Sequence, residues 1–283
     1  QRRLAAFARQ PRVFDAHALG VPVDTRISVI WVALDENTAK ARIVAFVEAT
    51  TGQGGKDYVA PSDRIAVFDN DGTLWSEQPM YFQLAFAIDR VKALAPGHPE
   101  WKTREPFKAA LEGDMKALAA SGEHGLLELV MATHAGNTSE EFARIVRDWA
   151  KSARHPTFRR PYTELTYAPM RELLDYLRAN GFKTYIVSGG GVEFLRVFAE
   201  ELYGVPPEQV IGSGIKAKYE VRDGRPVIVR LPEIDFIDDR AGKPVGIHKF
   251  IGRRPIAAFG KSDGDVEMLE WPTTAPGPRL GVL

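Results

Sequence analysis

Three short runs of consecutive apolar residues, Arg64-Ile65-Ala66-Val67-Phe68, Phe182 to Val187 and Pro255 to Phe259, read as strands buried on both faces. Between the first two, the period changes to that of a helix. Met80, Leu84, Ala87, Ile88, Val91 and Leu94 share one helical face, Phe107, Leu111, Met115 and Leu118 share another, and Leu126 to Met131 predicts a third helix. Thr138-Ser139-Glu140-Glu141 then has the form of a capping box ahead of Phe142, Ile145, Val146 and Trp149, spaced i, i+3, i+4, i+7. Residues 76–160 are therefore expected to be an all-helical insertion whose apolar faces make a small bundle core.

Further along, Pro169 suits a first helical turn, Met170, Leu173, Leu174 and Leu177 form an apolar face, and Gly181 supplies a stop. Val192, Leu195, Phe198 and Leu202 predict a helix after the second strand. Gln209 to Gly212 is expected to be another strand, Ile215 to Val221 and Pro226 to Leu231 flank the hairpin signal Asp223-Gly224, and Arg279 to Leu283 predicts a last strand. Near the start, residues 1–36 show no sustained period apart from a strand expected at Ile27 to Leu34, and no role is assigned to them. Asn37 can cap a helix through about Thr50, after which Thr51-Gly52-Gln53-Gly54-Gly55 breaks the chain. The alternation of strands and helices predicts an α/β fold, a parallel sheet with helices on both faces. The expected division is a core of residues 37–75 and 161–283 interrupted by the helical insertion.

Composition narrows the partners. The 37 Lys and Arg residues balance 37 Asp and Glu residues, so no overall field attracts a nucleic acid or an anionic membrane. No run approaches the roughly 18 apolar residues needed to cross a bilayer. With no cysteine in 283 residues, thiolate zinc sites, disulfides and cysteine nucleophiles are excluded, while both reducing and oxidising compartments remain compatible. The first residues, Gln1-Arg2-Arg3-Leu4, show no charged-then-apolar leader pattern. The compartment stays open between cytoplasm and periplasm, and the oligomeric state is not legible.

The three apolar strands all run into chemically loaded loops: Asp69 and Asp71 after the first, Ser188 with Gly189, Gly190 and Gly191 after the second, Asp263 and Asp265 after the third. In a parallel sheet these ends lie on one edge, so residues almost 200 positions apart are expected to converge. Carboxylates without His or Cys suit a hard cation, Mg²⁺ rather than zinc. Ser188 and backbone N–H groups at a glycine-rich helix start make a seat for an anion such as phosphate, and Lys243 can add countercharge. A carboxylate beside such a cation can attack phosphorus, and a second one two residues on can protonate the leaving oxygen and later activate water.

Phe68-Asp69-Asn70-Asp71-Gly72-Thr73-Leu74, Val187-Ser188-Gly189-Gly190, Gly242-Lys243-Pro244 and Gly260-Lys261-Ser262-Asp263-Gly264-Asp265 resemble, in order, the four motifs of the haloacid dehalogenase superfamily, in its phosphoserine-phosphatase-like branch. The resemblance covers about residues 60 to 270. It implies a Rossmann-like core, a helical cap between the first two motifs, and Mg²⁺-dependent hydrolysis of a phosphomonoester through an aspartyl-phosphate. It further implies that Asp69 is nucleophile and metal ligand, and that Asp71 is the acid/base and ligates the metal through its carbonyl. Thr73, Ser188 and Gly189 would contact phosphate, Lys243 would pair with Asp69 and phosphate, and Asp265 would hold the metal, with Asp263 a second candidate. Lys249 falls inside the short helix expected after Lys243 rather than at its start, so Lys243 is preferred.

Lys261 departs from the family pattern, which has Asp or Asn after that glycine. An ammonium about 4 Å from a divalent cation would be repelled by roughly 8 kcal/mol at an effective dielectric near 20. Its side chain must swing away, be held neutral, or replace the metal between Asp69 and Asp265; the first is favoured because the stem is flexible. The last would make the protein a catalytically impaired binding or regulatory member of the fold. The histidines, among them His134, His155 and His248, are expected at the surface or in caps. Trp75, Glu77 and Tyr81 follow the first motif, where they could line a pocket for a cationic amine or simply pack. Halide leaves without protonation and needs no Asp71, which disfavours dehalogenation. A cap of about 85 residues fits a small phosphorylated metabolite better than a phosphoprotein.

Overall fold

The strands in chain order are β1 (Ile27–Ile30), β2 (Ile65–Phe68), β3 (Lys183–Gly191), β4 (Val210–Arg222), β5 (Arg225–Phe236), β6 (Ala257–Phe259) and β7 (Arg279–Val282) in a computed structural model that describes residues 27–30 and 36–283. They form one seven-stranded sheet in the order β1-β7-β6-β2-β3-β4-β5. Every neighbouring pair is parallel except β4 with β5. The remainder of the expected strand through Leu34 lies outside the described residues. The helices are α1 (Glu36–Thr51), α2 (Phe82–Leu94), α3 (Phe107–Glu112), α4 (Met115–Ala120), α5 (Gly122–His134), α6 (Ser139–Ser152), α7 (Ala168–Ala179), α8 (Val192–Arg196), α9 (Ala199–Tyr203), α10 (Gly242–Ile251) and α11 (Val266–Thr273).

The central strands bury every side chain of Ile65–Phe68 and Ala257–Phe259, as expected of parallel strands with both faces covered. Phe68 is level with Phe259 on one side and Ile186 on the other, and the Phe68 and Phe259 rings stack at 4.5 Å. That register brings the loops after β2, β3 and β6 to one edge at nearly the same height.

Three expected elements differ in detail. The face formed by Phe107 and Leu118 belongs to two helices, because Gly113 turns left-handed at φ 74° and the Asp114 side chain caps the next helix by accepting from the N–H groups of Lys116 and Ala117. The helix after the glycines is likewise split into α8 and α9. The segments Gln209 to Gly212 and Ile215 to Val221 are one strand: Val210–Ser213 pairs with β3, and β4 then leaves the parallel sheet to pair with β5 around Asp223-Gly224, both at positive φ.

Between β2 and β3, residues 82 to 152 contribute five α-helices and no strand. Only part of this insertion has a core of its own, formed by Ile88, Val91, Trp101, Phe107, Leu118 and Leu129. The opposite face of α2, with Phe82 and Phe86, and the α6 residues Phe142 and Val146 join the main core beside Trp75 and Phe194. The Phe86 ring lies 5.5 Å from Phe194 and 5.9 Å from Phe142. The expected self-contained bundle is thus half fused to the α/β body.

Candidate active site

At the carboxyl edge the chain leaves β2 with the Asp69 N–H still donating to Phe259 O at 2.9 Å, then turns sharply because Asn70 O accepts from Thr73, Leu74 and Trp75. Asp69 therefore stands directly above the strand. Asp265 reaches the same point from the turn after β6, and Lys243 from the first turn of α10. The Lys243 ammonium donates to Asp69 Oδ1 at 2.7 Å and to Asp265 Oδ1 at 2.5 Å. All three side chains are buried. Thr73 Oγ1 donates to Asp69 Oδ2 at 3.1 Å, while Asp265 Oδ2 accepts from the N–H groups of Lys261 and Ser262, both at 2.9 Å.

Asp71, two residues on, accepts from the Trp75 indole N–H at 2.8 Å through Oδ1. Its Oδ2 lies near Gly190, where a Cβ would sit 3.5 Å from it and 3.3 Å from Ser188 Oγ. Ser188 is fully buried and its Oγ accepts from the Gly190 N–H at 3.1 Å. Asp69, Asp71, Ser188, Gly189, Lys243 and Asp265 all line one cavity of about 400 Å³; Thr73 and Asp263 do not. Thr73 bonds to Asp69 from behind, and Asp263 is exposed at the start of the turn.

Lys261 takes the first of its expected routes. Its ammonium is ion-paired with Glu77, and its stem crosses Gly72, where a Cβ would meet Lys261 Cδ at 2.5 Å. Gly72 has φ 80°, so both the turn and the overlying lysine exclude a side chain there. The premise for an impaired site is therefore absent: the cation between Asp69 and Asp265 is Lys243. Of the three residues expected either to line a pocket for an amine or to pack, Glu77 and Tyr81 line the cavity and Trp75 packs. Trp75 is buried against Phe82 and bonded to Asp71, and Glu77 already has its cation.

Both His134 and His155 are buried rather than at the surface, and of the two only His155 has the expected capping role. His155 accepts backbone N–H bonds from Thr157 and Phe158 at Nδ1 and lies 2.6 Å from Gln78 O through Nε2. His134, pushed down to about 3 by desolvation and by Arg230 and Arg90, is neutral. Its Nδ1 lies 2.8 Å from Thr133 Oγ1, and its Nε2 lies 3.1 Å from Gln83 Nε2. Gln83 Oε1 in turn accepts from the Gly191 N–H at 2.6 Å, tying the loop after β3 to α5. No motif marked Gln83; the only signal is a polar residue beside an apolar helical stripe.

Burial and the Lys243 charge together set how the acids of the site titrate. Desolvation raises Asp69, against the attraction of Lys243. Desolvation also works to raise Asp265, but the charge and hydrogen bond of Lys243 and two backbone N–H donors outweigh it and hold Asp265 low. Burial tends to lower Lys243, yet the two carboxylates keep it raised and charged. Asp71 is pushed up to about 6, chiefly by loss of water, so its carboxyl exchanges a proton near neutrality. Two further acids precede α10 and were not expected in the site. Asp239 stands at the rim beside Gly189 and Gly264. Asp238 is fully buried, with neither carboxylate oxygen hydrogen-bonded, and desolvation takes it to about 8.

Among the described residues no three acidic or histidine side chains gather closely enough to form a metal centre unaided. The donor chemistry nonetheless suits a hard divalent ion. Asp69 and Asp265 share a single ammonium with Asp71 lining the same cavity, which leaves negative charge in a poorly hydrated place, and every donor is oxygen.

The opposite wall of the cavity comes from elsewhere. Leu127, Val130 and Met131 of α5 face Ile215, Ile234 and Phe236 of the β4–β5 hairpin. Arg230 is buried, pairs with Glu193 and lies over the Phe142 ring at 3.8 Å.

A parallel sheet with a buried acid–lysine cluster at its carboxyl edge, open to a roofed cavity, defines an α/β enzyme. Residues 66–270 match the family model of haloacid dehalogenase-like hydrolases, and the chain belongs to that family. No curated protein matches it in sequence. Among solved structures it is similar to a protein of unknown function from Bordetella pertussis Tohama I, at 19% identity over 73% of this chain and 86% of that one with a TM-score of 0.48. It is similar also to a functionally unknown protein from Anaerococcus prevotii, at 19% identity over 83% of each chain with a TM-score of 0.49. A phosphoserine phosphohydrolase-like protein from Francisella tularensis matches at 18% identity over 73% of this chain and 82% of that one, with a TM-score of 0.40.

Proposed function

We propose that this hydrolase cleaves phosphate monoesters of small molecules with the aid of Mg²⁺, Asp69 acting as nucleophile and Asp71 as acid and base. The observation that carries the reading is the buried floor in which Lys243 joins Asp69 to Asp265 while Asp71, held by Trp75 through one oxygen, lines the same cavity. The cation would be held by the Asp69 and Asp265 carboxylates and the Asp71 carbonyl, and would supply positive charge for the phosphoryl oxygens.

An Asp69 oxygen attacks phosphorus, the ester P–O bond breaks, and the departing alkoxide takes the Asp71 proton. Asp71, now ionised, removes a proton from water. That water adds to phosphorus, the P–O bond to Asp69 breaks, and phosphate and free Asp69 result. Lys243 holds Asp69 in place, and Ser188 with Gly189 receives phosphoryl oxygens. Residues 76–160 act as the cap that excludes bulk water and selects the alcohol.

Release of phosphate from 4-nitrophenyl phosphate, measured with Mg²⁺ and with EDTA, tests the reading. Turnover that needs the cation and vanishes in Asp69→Asn supports it; equal turnover with EDTA, or in the variant, overturns it.

A further inference from the structure

The cavity has a charged floor but no free charge on its roof. Leu127, Val130 and Met131 present one side of α5, and Ile215, Ile234 and Phe236 answer from the hairpin. Most of these side chains are only half-buried, so their apolar surface is turned to the cavity rather than filled by neighbours. The ionic groups around that space are paired in charge, Glu77 with Lys261 and Glu193 with Arg230, of which only the buried Arg230 Nε lacks a hydrogen-bond partner. His134 is neutral and bonded on both ring nitrogens. Asp239, at the rim of the floor beside Gly189 and Gly264, lies 3.9 Å from the Arg240 guanidinium.

We infer that, if the phosphomonoester reading holds, the alcohol this site releases is an uncharged one with an extended apolar body, lying between α5 and the β4–β5 hairpin. An ammonium or carboxylate on that alcohol would lose water without gaining a partner, since each roof charge would first have to abandon its own. An apolar chain gains at every contact. At about 0.8 kcal/mol per buried methylene, each carbon adds roughly a factor of four to binding. Cavities of a few hundred Å³ hold molecules of this size with most of their surface covered.

The test is a series of primary n-alkyl phosphates from methyl to hexyl, alongside O-phosphoethanolamine and phosphoserine, with 4-nitrophenyl phosphate as the activity probe. Chemistry at phosphorus is nearly constant across the series, so kcat/KM reads the roof. The expected result is a rise of about fourfold per carbon until the wall is covered, with both charged esters at least tenfold below the alkyl ester of similar length. Val130→Asp should cut the hexyl-to-methyl ratio by tenfold or more, and Val130→Leu should preserve it. A flat or falling alkyl series, or charged esters turned over as well as hexyl phosphate, overturns the inference while leaving the phosphomonoester reading intact. If the nitrophenyl ester and every other ester are inert, the phosphomonoester reading fails and this inference with it.

Discussion

The floor and the roof of the cavity are built on opposite plans. On the floor, Asp69, Lys243 and Asp265 come from three strand-edge segments and are locked together by short charge-assisted bonds and backbone N–H donors. On the roof, α5 and the hairpin meet through apolar side chains, and the ion pairs nearby cancel each other. A floor so arranged loses a whole network when one group goes, whereas a roof of dispersed apolar contacts changes by increments. Reaction type and substrate choice should therefore respond to mutation on different scales.

The hardest test of that contrast is Asp69→Asn, which keeps the shape and removes the nucleophile. Turnover should fall by on the order of 10³-fold or more in a protein that still folds, and activity above about a tenth of the original would break the assignment. Next, Lys243→Met leaves two buried carboxylates without a cation. It should cost roughly 3–5 kcal/mol in urea unfolding at pH 7 and recover stability toward pH 5 as the carboxylates protonate. A loss below about 1 kcal/mol would mean that the floor is not a cooperative unit.

Asp71→Asn should separate leaving groups. Alkyl phosphates, whose alkoxide needs a proton, should lose about 10²-fold, and 4-nitrophenyl phosphate less than tenfold; equal losses would leave Asp71 a structural role only. An effect read against pH is expected at Asp238. Because burial raises its carboxyl to about 8, the folded protein keeps a proton that the unfolded chain has released between about pH 4 and 8. Stability from this group is complete below that window and falls as pH rises through it, by up to about 1.4 kcal/mol per unit. Asp238→Asn should flatten that slope in denaturation curves taken from pH 5 to 8. Smallest of all, Lys261→Asn breaks a partly exposed ion pair and should shift stability by no more than about 1 kcal/mol. A large gain in turnover in this variant would show that the lysine does press on the site.

Legibility followed the same division. Asp69, Asp71, Ser188, Lys243 and Asp265 were readable because each sits in a short motif at the end of an apolar strand or the start of a helix. Parallel topology then puts such ends together whatever the intervening chain does. Asp263 carried the same local signal as Asp265 yet faces solvent, since in a single tight turn only one of the two can point inward. His134, His155, Gln83 and the pair Asp238-Asp239 had no signal, because what sets their roles is burial by segments far away in the chain.

From residue types and spacing alone came the α/β class, the helical insertion, the buried strands and the acid, serine and lysine positions of the floor. These are local properties: period, turn chemistry and capping act within a few residues. Tertiary structure alone decided that β4 continues from the sheet into a hairpin that helps roof the cavity, that half of the insertion shares the main core, and that Lys261 is held by Glu77 across 184 positions. Such outcomes depend on which distant surfaces exclude water from each other, a choice made by the whole fold and written in no single stretch of it.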